Sequence, residues 1–255
     1  MKDKVTLAFC SLDLSKDAEF LDNIHNKSNT KLDIMPKVGY TSICKAYNEV
    51  LKESKNDTII FCHNDINILT DGFDKIIYDL FEKNKKFGII GVVGSNAWER
   101  EGWGGKKGQA LGTLIQYNKY HPMCTLVPQW ILFSPVFRCN DLVSSVTADG
   151  LFIAVRRDRI KARFDENLKG FHFYDVMFTI DNIIENVLTG ITYKLDICHY
   201  SDGKYSKEWY EAREYANYKY QMRDFKINIP SGGGQIVRTY TGYDNLKMIR
   251  KQLNY

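Results

Sequence analysis

None of the six cysteines (10, 44, 62, 124, 139 and 198) forms a C-x-x-C pair with another. Most sit inside apolar stretches as small hydrophobes do, so the spacing excludes a zinc knot and points to a reducing, cytoplasmic setting. No G-x-x-x-x-G-K-[ST] occurs, which counts against a P-loop enzyme. The residues that leave the first apolar run, CSLDLSKD, contain no glycine. A sugar-phosphate nucleotidyltransferase would want a glycine-rich phosphate loop at that place, so that reading is disfavoured. No apolar run approaches membrane-spanning length, and residues 1–4 lead into a strand-like run without a signal-peptide core. Charge of one sign is not in excess either, because 35 Lys+Arg against 31 Asp+Glu leaves only +4. That balance is too weak and dispersed for a nucleic-acid footprint. The expectation is a soluble, cytoplasmic protein that binds no nucleic acid. Lys/Arg-rich and aromatic segments in the second half leave open peripheral contact with the inner face of a membrane.

What is present is an ordinary globular mixture, 44% hydrophobic and 26% charged over 255 residues, enough for one main core. VTLAFCSL (5–12) reads as a central parallel strand, and SKDAEFLDNIHN (15–26) as a helix with a Ser N-cap. KLDIMP (31–36) fits either a short strand or a loop. TSICKAYNEVLKES (41–54) places Ile43, Ala46, Tyr47, Val50 and Leu51 on one helical face and leads into a strand at 57–62. A helix over 71–86 and a glycine-bounded strand over 87–94 continue the alternation. Strands alternating with helices predict an α/β domain with a mainly parallel sheet. Residues 95–130 break the pattern and read as a long loop and a hairpin inserted into the sheet. Strands at 146–158 and 191–200 flank a loop running into a helix over 164–187. The division expected is 1–200 as the main domain and 201–255 as a Tyr-rich helix with a tail that packs on it or extends it.

The sequence FCHNDIN (61–67) turns a buried strand into a polar terminus. Side chains two apart on an extended chain point to one side, so His63 and Asp65 face together. In open α/β sheets ligands gather outside the carboxyl ends of strands. A divalent cation on a diphosphate needs only one or two protein carboxylates. Asp65 backed by His63 meets that need, although H-x-D is also a common way to end a strand. Trp98 and Trp103 flank a loop rich in glycine, and an aromatic face on such a loop suits sugar stacking. The segment 95–108 is therefore expected to act as a lid over a donor, with Trp103 stacking near the sugar or base.

In order, A-Y-N (46–48), TIIFCHND, ADGLFIAVRRD and FDENLKGFHFYDVMF resemble the family 2-like glycosyltransferases of the GT-A fold, over roughly residues 5–200. The resemblance implies a GT-A-like, Rossmann-related sheet and metal-dependent transfer from a nucleotide-diphosphate sugar, a UDP-sugar, to a glycan or lipid-linked acceptor. His63-Asn64-Asp65 stands where the family has its D-x-D motif, with His departing from the commonest first residue. Asp65 is thereby the main ligand for Mn²⁺ or Mg²⁺, with His63 beside it and His199, after a late strand, as a third. Asn48 matches the A-x-N position under the nucleotide, Lys45 is in reach of a phosphate, and Ser11 and Asp13 match the region that holds base and ribose. Asp175 matches the carboxylate base of an inverting transfer, and Asp149 matches an acid beside the donor sugar or acceptor. A non-catalytic carbohydrate-binding module would explain the aromatics, but it would not require both Asp65 and Asp175.

Overall fold

The computed structural model describes residues 4–98, 110–112, 114–118, 121–126, 141–201, 205–220 and 225–226. Its first strand, β1 (Val5–Ser11), is buried almost throughout. A short 3-10 turn (Leu14–Lys16) follows, capped by Asp13, and helix α1 (Ala18–Lys27) begins only after Asp17. Ser15 therefore lies within the turn rather than capping the helix. The ambiguous segment is a strand, β2 (Asp33–Val38), parallel to β1. Ser42 caps α2 (Ile43–Glu53), whose buried residues include the five apolar positions that its spacing predicts. The chain then enters β3 (Thr58–Cys62), parallel to β1 on its other side.

After β4 (Ile66–Ile68) and α3 (Phe73–Lys83) come β5 (Phe87–Gly91), β6 (Val93–Ser95) and β7 (Ala97–Trp98). The inserted region contributes β8 (Ala110–Gly112) and an antiparallel hairpin of β9 (Ile115–Asn118) with β10 (His121–Leu126). Then follow β11 (Val143–Ser145), β12 (Thr147–Ala148), β13 (Phe152–Arg156) and helix α4 (Tyr174–Ile184). The single strand expected at 191–200 is two, β14 (Leu188–Ile191) and β15 (Ile197–His199), in different sheets. Helix α5 (Lys207–Lys219) and β16 (Phe225–Lys226) close the described chain.

The main sheet has seven strands in the order β11-β14-β5-β13-β3-β1-β2. It is mixed. β13 is antiparallel to β3 and β5, and β11 to β14, so β2, β1, β3, β5 and β14 share one direction. Alternation along the strands splits the core between the two faces. Leu7, Phe9, Ile60 and Phe152 pack with Phe20 and Ile24 of α1 and Phe73 and Ile77 of α3. Ala8, Ile59, Phe61 and Ile153 pack with Tyr47 and Val50 of α2 and Met177 and Phe178 of α4.

α5 lies on this second layer. Lys219 Nζ donates to Asp165 and Asp181 at 2.7 and 2.8 Å, and the Tyr220 hydroxyl donates to Asp181 and to the Met177 carbonyl. Trp98 is fully buried, its ring edge-on to Tyr220, as an anchor between the inserted region and α5. Trp103 and most of the segment expected to act as a lid fall outside the described residues. No described helix is long and apolar enough to cross a membrane.

Candidate active site

Because β1 and β3 are parallel, Ser11 to Asp17 and His63 to Asp65 emerge at the same edge of the sheet. β13 runs the opposite way, so its entry turn, Asp149-Gly150, arrives at that edge too, and Leu151 accepts a backbone bond from His63. The start of α4 is brought there by Gly170, which bridges to Ser42 and accepts from Ile43 N–H at 3.2 Å. Phe173 turns the chain into α4 with φ +61°, a left-handed conformation that a bulky side chain adopts only under strain. Together these segments wall a cavity of about 790 Å³, which Trp209 and Tyr205 from α5 and its lead-in also line.

At the wall that His63 and Asp65 form, the ligand atoms of His63, Asp65 and His199 lie within 4.8 Å of one another. Antiparallel pairing of β15 with β4 sets His199 opposite Ile66, next to Asp65. Asp65 Oδ1 stands 3.6 Å from His63 Nδ1 and 3.4 Å from His199 Nε2. Among the described residues, no hydrogen bond of ordinary geometry reaches that buried oxygen. Atoms that share a cation at about 2.1 Å stand about 3.0 to 3.4 Å apart, so two imidazoles and a carboxylate so arranged fit a divalent ion. Burial works against the Asp65 charge, but the His199 and His63 imidazoles outweigh it and hold the carboxyl well below the usual range. For His63, burial opposes the charged form and Asp65, Asp149 and Asp175 overcome it, so its pKa is raised. The Tyr174 hydroxyl sits 3.0 Å from His63 Nε2, which leaves Nδ1 facing Asp65.

Asp175, in the first turn of α4, is 7% exposed. Its Oδ2 accepts from Gly150 N–H and its Oδ1 from Val176 N–H, both at 2.8 Å. Burial, and then the charge of Asp149, push its pKa up to about 6, against the pull of those two N–H groups and of His63. Asp149 accepts from Leu151 N–H in a tight turn. Cys10 also lines the cavity, but burial pushes its thiol up to about 12, so it stays protonated and poorly nucleophilic.

The structure thus brings together Ser11, Asp13, His63, Asp65, Asp149 and Asp175 along the cavity wall, with His199 beside Asp65. It does not bring Lys45 or Asn48 there. Lys45 is on the exposed side of α2. Asn48 is buried with its amide committed to Phe164: it donates to the carbonyl at 2.8 Å and to Glu166 at 2.9 Å, and accepts from Phe164 N–H at 3.0 Å. It fixes the loop that precedes α4 rather than a nucleotide. Residues that sequence reasoning passed over also line the cavity: Asp17, inside the helix expected over 15–26, Asn64, the middle of H-N-D, and Tyr174, the neighbour of Asp175.

Residues 13–220 match a family model described as "Glycosyltransferase like family". Among curated proteins, none matches the chain. Similar solved structures include A197 from STIV, at 12% identity and TM-score 0.43, covering 94% of this chain and 100% of that one. GalNAc-T7 with UDP, GalNAc and Mn²⁺ is similar at 10% identity and TM-score 0.48, covering 85% and 49%. S. aureus TarS 1-349 in complex with UDP-GlcNAc is similar at 12% identity and TM-score 0.46, covering 82% and 64%. The chain therefore spans all of A197 but less than two thirds of the other two.

Proposed function

The chain belongs to the glycosyltransferase-like family, and from that premise we propose that it moves a sugar from a UDP-sugar to a hydroxyl of a glycan or lipid-linked acceptor, with inversion. The observation that carries this reading is the meeting, in one cavity, of His63 and Asp65, with His199 grouped beside them, and the carboxylates Asp149 and Asp175. His63, Asp65 and His199 would hold Mn²⁺ or Mg²⁺, and the two imidazoles favour Mn²⁺, because Mg²⁺ prefers oxygen ligands. A bound cation supplies positive charge that stabilises a departing diphosphate.

Asp175 is the general base in this reading. It takes the proton from the acceptor hydroxyl as that oxygen attacks the anomeric carbon. A pKa of about 6 leaves it largely ionised at pH 7 yet more basic than an ordinary aspartate. The N–H groups of Gly150 and Val176 hold the carboxylate in position, and Asp149 keeps its proton affinity high.

UDP with Mn²⁺ should raise the melting temperature of the wild type, and Asp65→Ala should abolish the metal-dependent part of that shift. A shift that survives in the variant would remove Asp65 from the cation site. Asp175→Asn should lower turnover by roughly two to four orders of magnitude while donor affinity barely changes. Transfer at near the native rate would reject Asp175 as the base.

A further inference from the structure

Asp17 stands immediately before α1, where an aspartate ordinarily caps the helix with its side chain. Here it makes no capping bond. Its Oδ1 instead accepts from Asn64 Nδ2 at 2.7 Å. The residue is 5% exposed, it lines the cavity, and its Oδ2 is buried with no hydrogen-bond partner among the described residues. A carboxylate oxygen withdrawn from water without a donor is costly, so a carboxylate pinned by one oxygen with the other unanswered is built to receive a ligand's donor.

We infer that Asp17 Oδ2 accepts a hydrogen bond from an N–H or O–H of the donor's nucleoside, and so selects which nucleoside diphosphate the site takes. This rests on the nucleotide-sugar reading proposed above. Charge decides which part of the donor faces Asp17: a carboxylate repels the diphosphate, so it faces a neutral group that carries donors. Position agrees. The sheet order β13-β3-β1 puts His63 and Asp65, just past the end of β3, between Asp17 at the β1 side and Asp175 beside the entry to β13. With the diphosphate near the candidate cation site and the sugar toward Asp175, the nucleoside falls on the β1 side. Asn64 links the two functions physically. It lies between His63 and Asp65 in sequence and holds Asp17 with its own amide.

Two donors on uridine satisfy this chemistry, the imide N3–H of the base and a ribose hydroxyl. Asp17→Asn separates them. The Asn64 amide still demands an acceptor, so the new side chain turns its carbonyl to Asn64 and presents an NH₂ where the carboxylate presented an oxygen. UDP, 2′-deoxy-UDP and CDP are titrated calorimetrically, with Mn²⁺, into wild type and variant, and thermal melting confirms that both are folded. The expected result is a loss of about 10- to 100-fold in UDP affinity in the variant. If the base is read, the variant gains affinity for CDP, whose N3 is an acceptor, and the wild type binds 2′-deoxy-UDP as well as UDP. If the ribose is read, the wild type discriminates against 2′-deoxy-UDP and the variant gains nothing for CDP. Equal UDP affinity in a folded variant would overturn the assignment of Asp17 alone. A wild type that binds none of the three would overturn the nucleotide-sugar reading with it.

Discussion

Gly150 serves two neighbours at once. Its N–H donates to Asp175, and a Cβ at this position would stand 2.0 Å from the Tyr174 hydroxyl, the group that contacts His63. Only glycine leaves both contacts in place. Outer groups that orient a ligating imidazole commonly contribute 10- to 100-fold in metal affinity. Tyr174→Phe, which removes a single buried oxygen, should therefore weaken Mn²⁺ binding by roughly that factor, measured by paramagnetic resonance without nucleotide. Gly150→Ala should do the same by displacing the ring. Unaltered Mn²⁺ affinity in Tyr174→Phe would mean that the hydroxyl does not position His63. At this scale the sequence made the carboxylates visible because acids at strand ends and helix starts are conspicuous. It hid Tyr174, Asp17 and the packing role of Asn48. The Asn48 amide is consumed by Phe164, 116 positions away, and no local pattern announces such a pairing. The unpartnered oxygen of Asp17 is likewise a property of packing, since in sequence the residue falls in the first turn of the helix expected over 15–26.

Among the elements, apolar periodicity located α2, α3, β1 and β3 because each buries one face or both, and burial is what periodicity records. It merged β14 with β15, since Leu188-Thr189-Gly190 lacks the apolar run of a central strand. Gly190 is there because a Cβ would stand 2.9 Å from the Phe87 ring on β5. The wall that α5 adds to the cavity was foreseen only as a Tyr-rich helix, and beside the Tyr220 hydrogen bonds one cation ties it down. Lys219 joins Asp165 on the loop before α4 to Asp181 within α4. Removing one partner of a largely buried ion pair strands the other charges. Lys219→Met should destabilise the protein by about 1 to 2 kcal/mol, between the cost for an exposed and for a buried pair, read from urea unfolding. It should also loosen Trp209 and Tyr205 from the cavity, seen as increased tryptophan quenching. Unfolding at the wild-type midpoint would show that α5 docks through its apolar contacts alone, chiefly Ala212, Ala216 and Trp209 against Phe173.

For the whole molecule, the candidate site sets a conflict between stability and chemistry that pH exposes. Asp175 has a folded-state pKa of about 6 against 3.8 for a free aspartate, so below pH 3.8 it is protonated in both states and costs nothing. Between those values the folded protein binds more protons than the unfolded chain, and stability falls as pH rises. Above about pH 6 the full penalty is in place, on the order of 3 kcal/mol from a shift of about two pKa units. Asp65 acts in the opposite sense. Its carboxyl is held low, so its contribution is present above the ordinary carboxylate range and disappears as pH falls. Replacing Asp175 by Asn removes the first effect and leaves the second. With chelator present, Asp175→Asn should melt a few degrees above the wild type at pH 7.5 and close to it at pH 4, while losing turnover. The wild-type rate should also fall as pH drops through about 6, where Asp175 takes up its proton. A variant less stable than the wild type at pH 7.5 would mean that the two N–H bonds to Asp175 outweigh its burial, and that the fold bears no cost for keeping a base there.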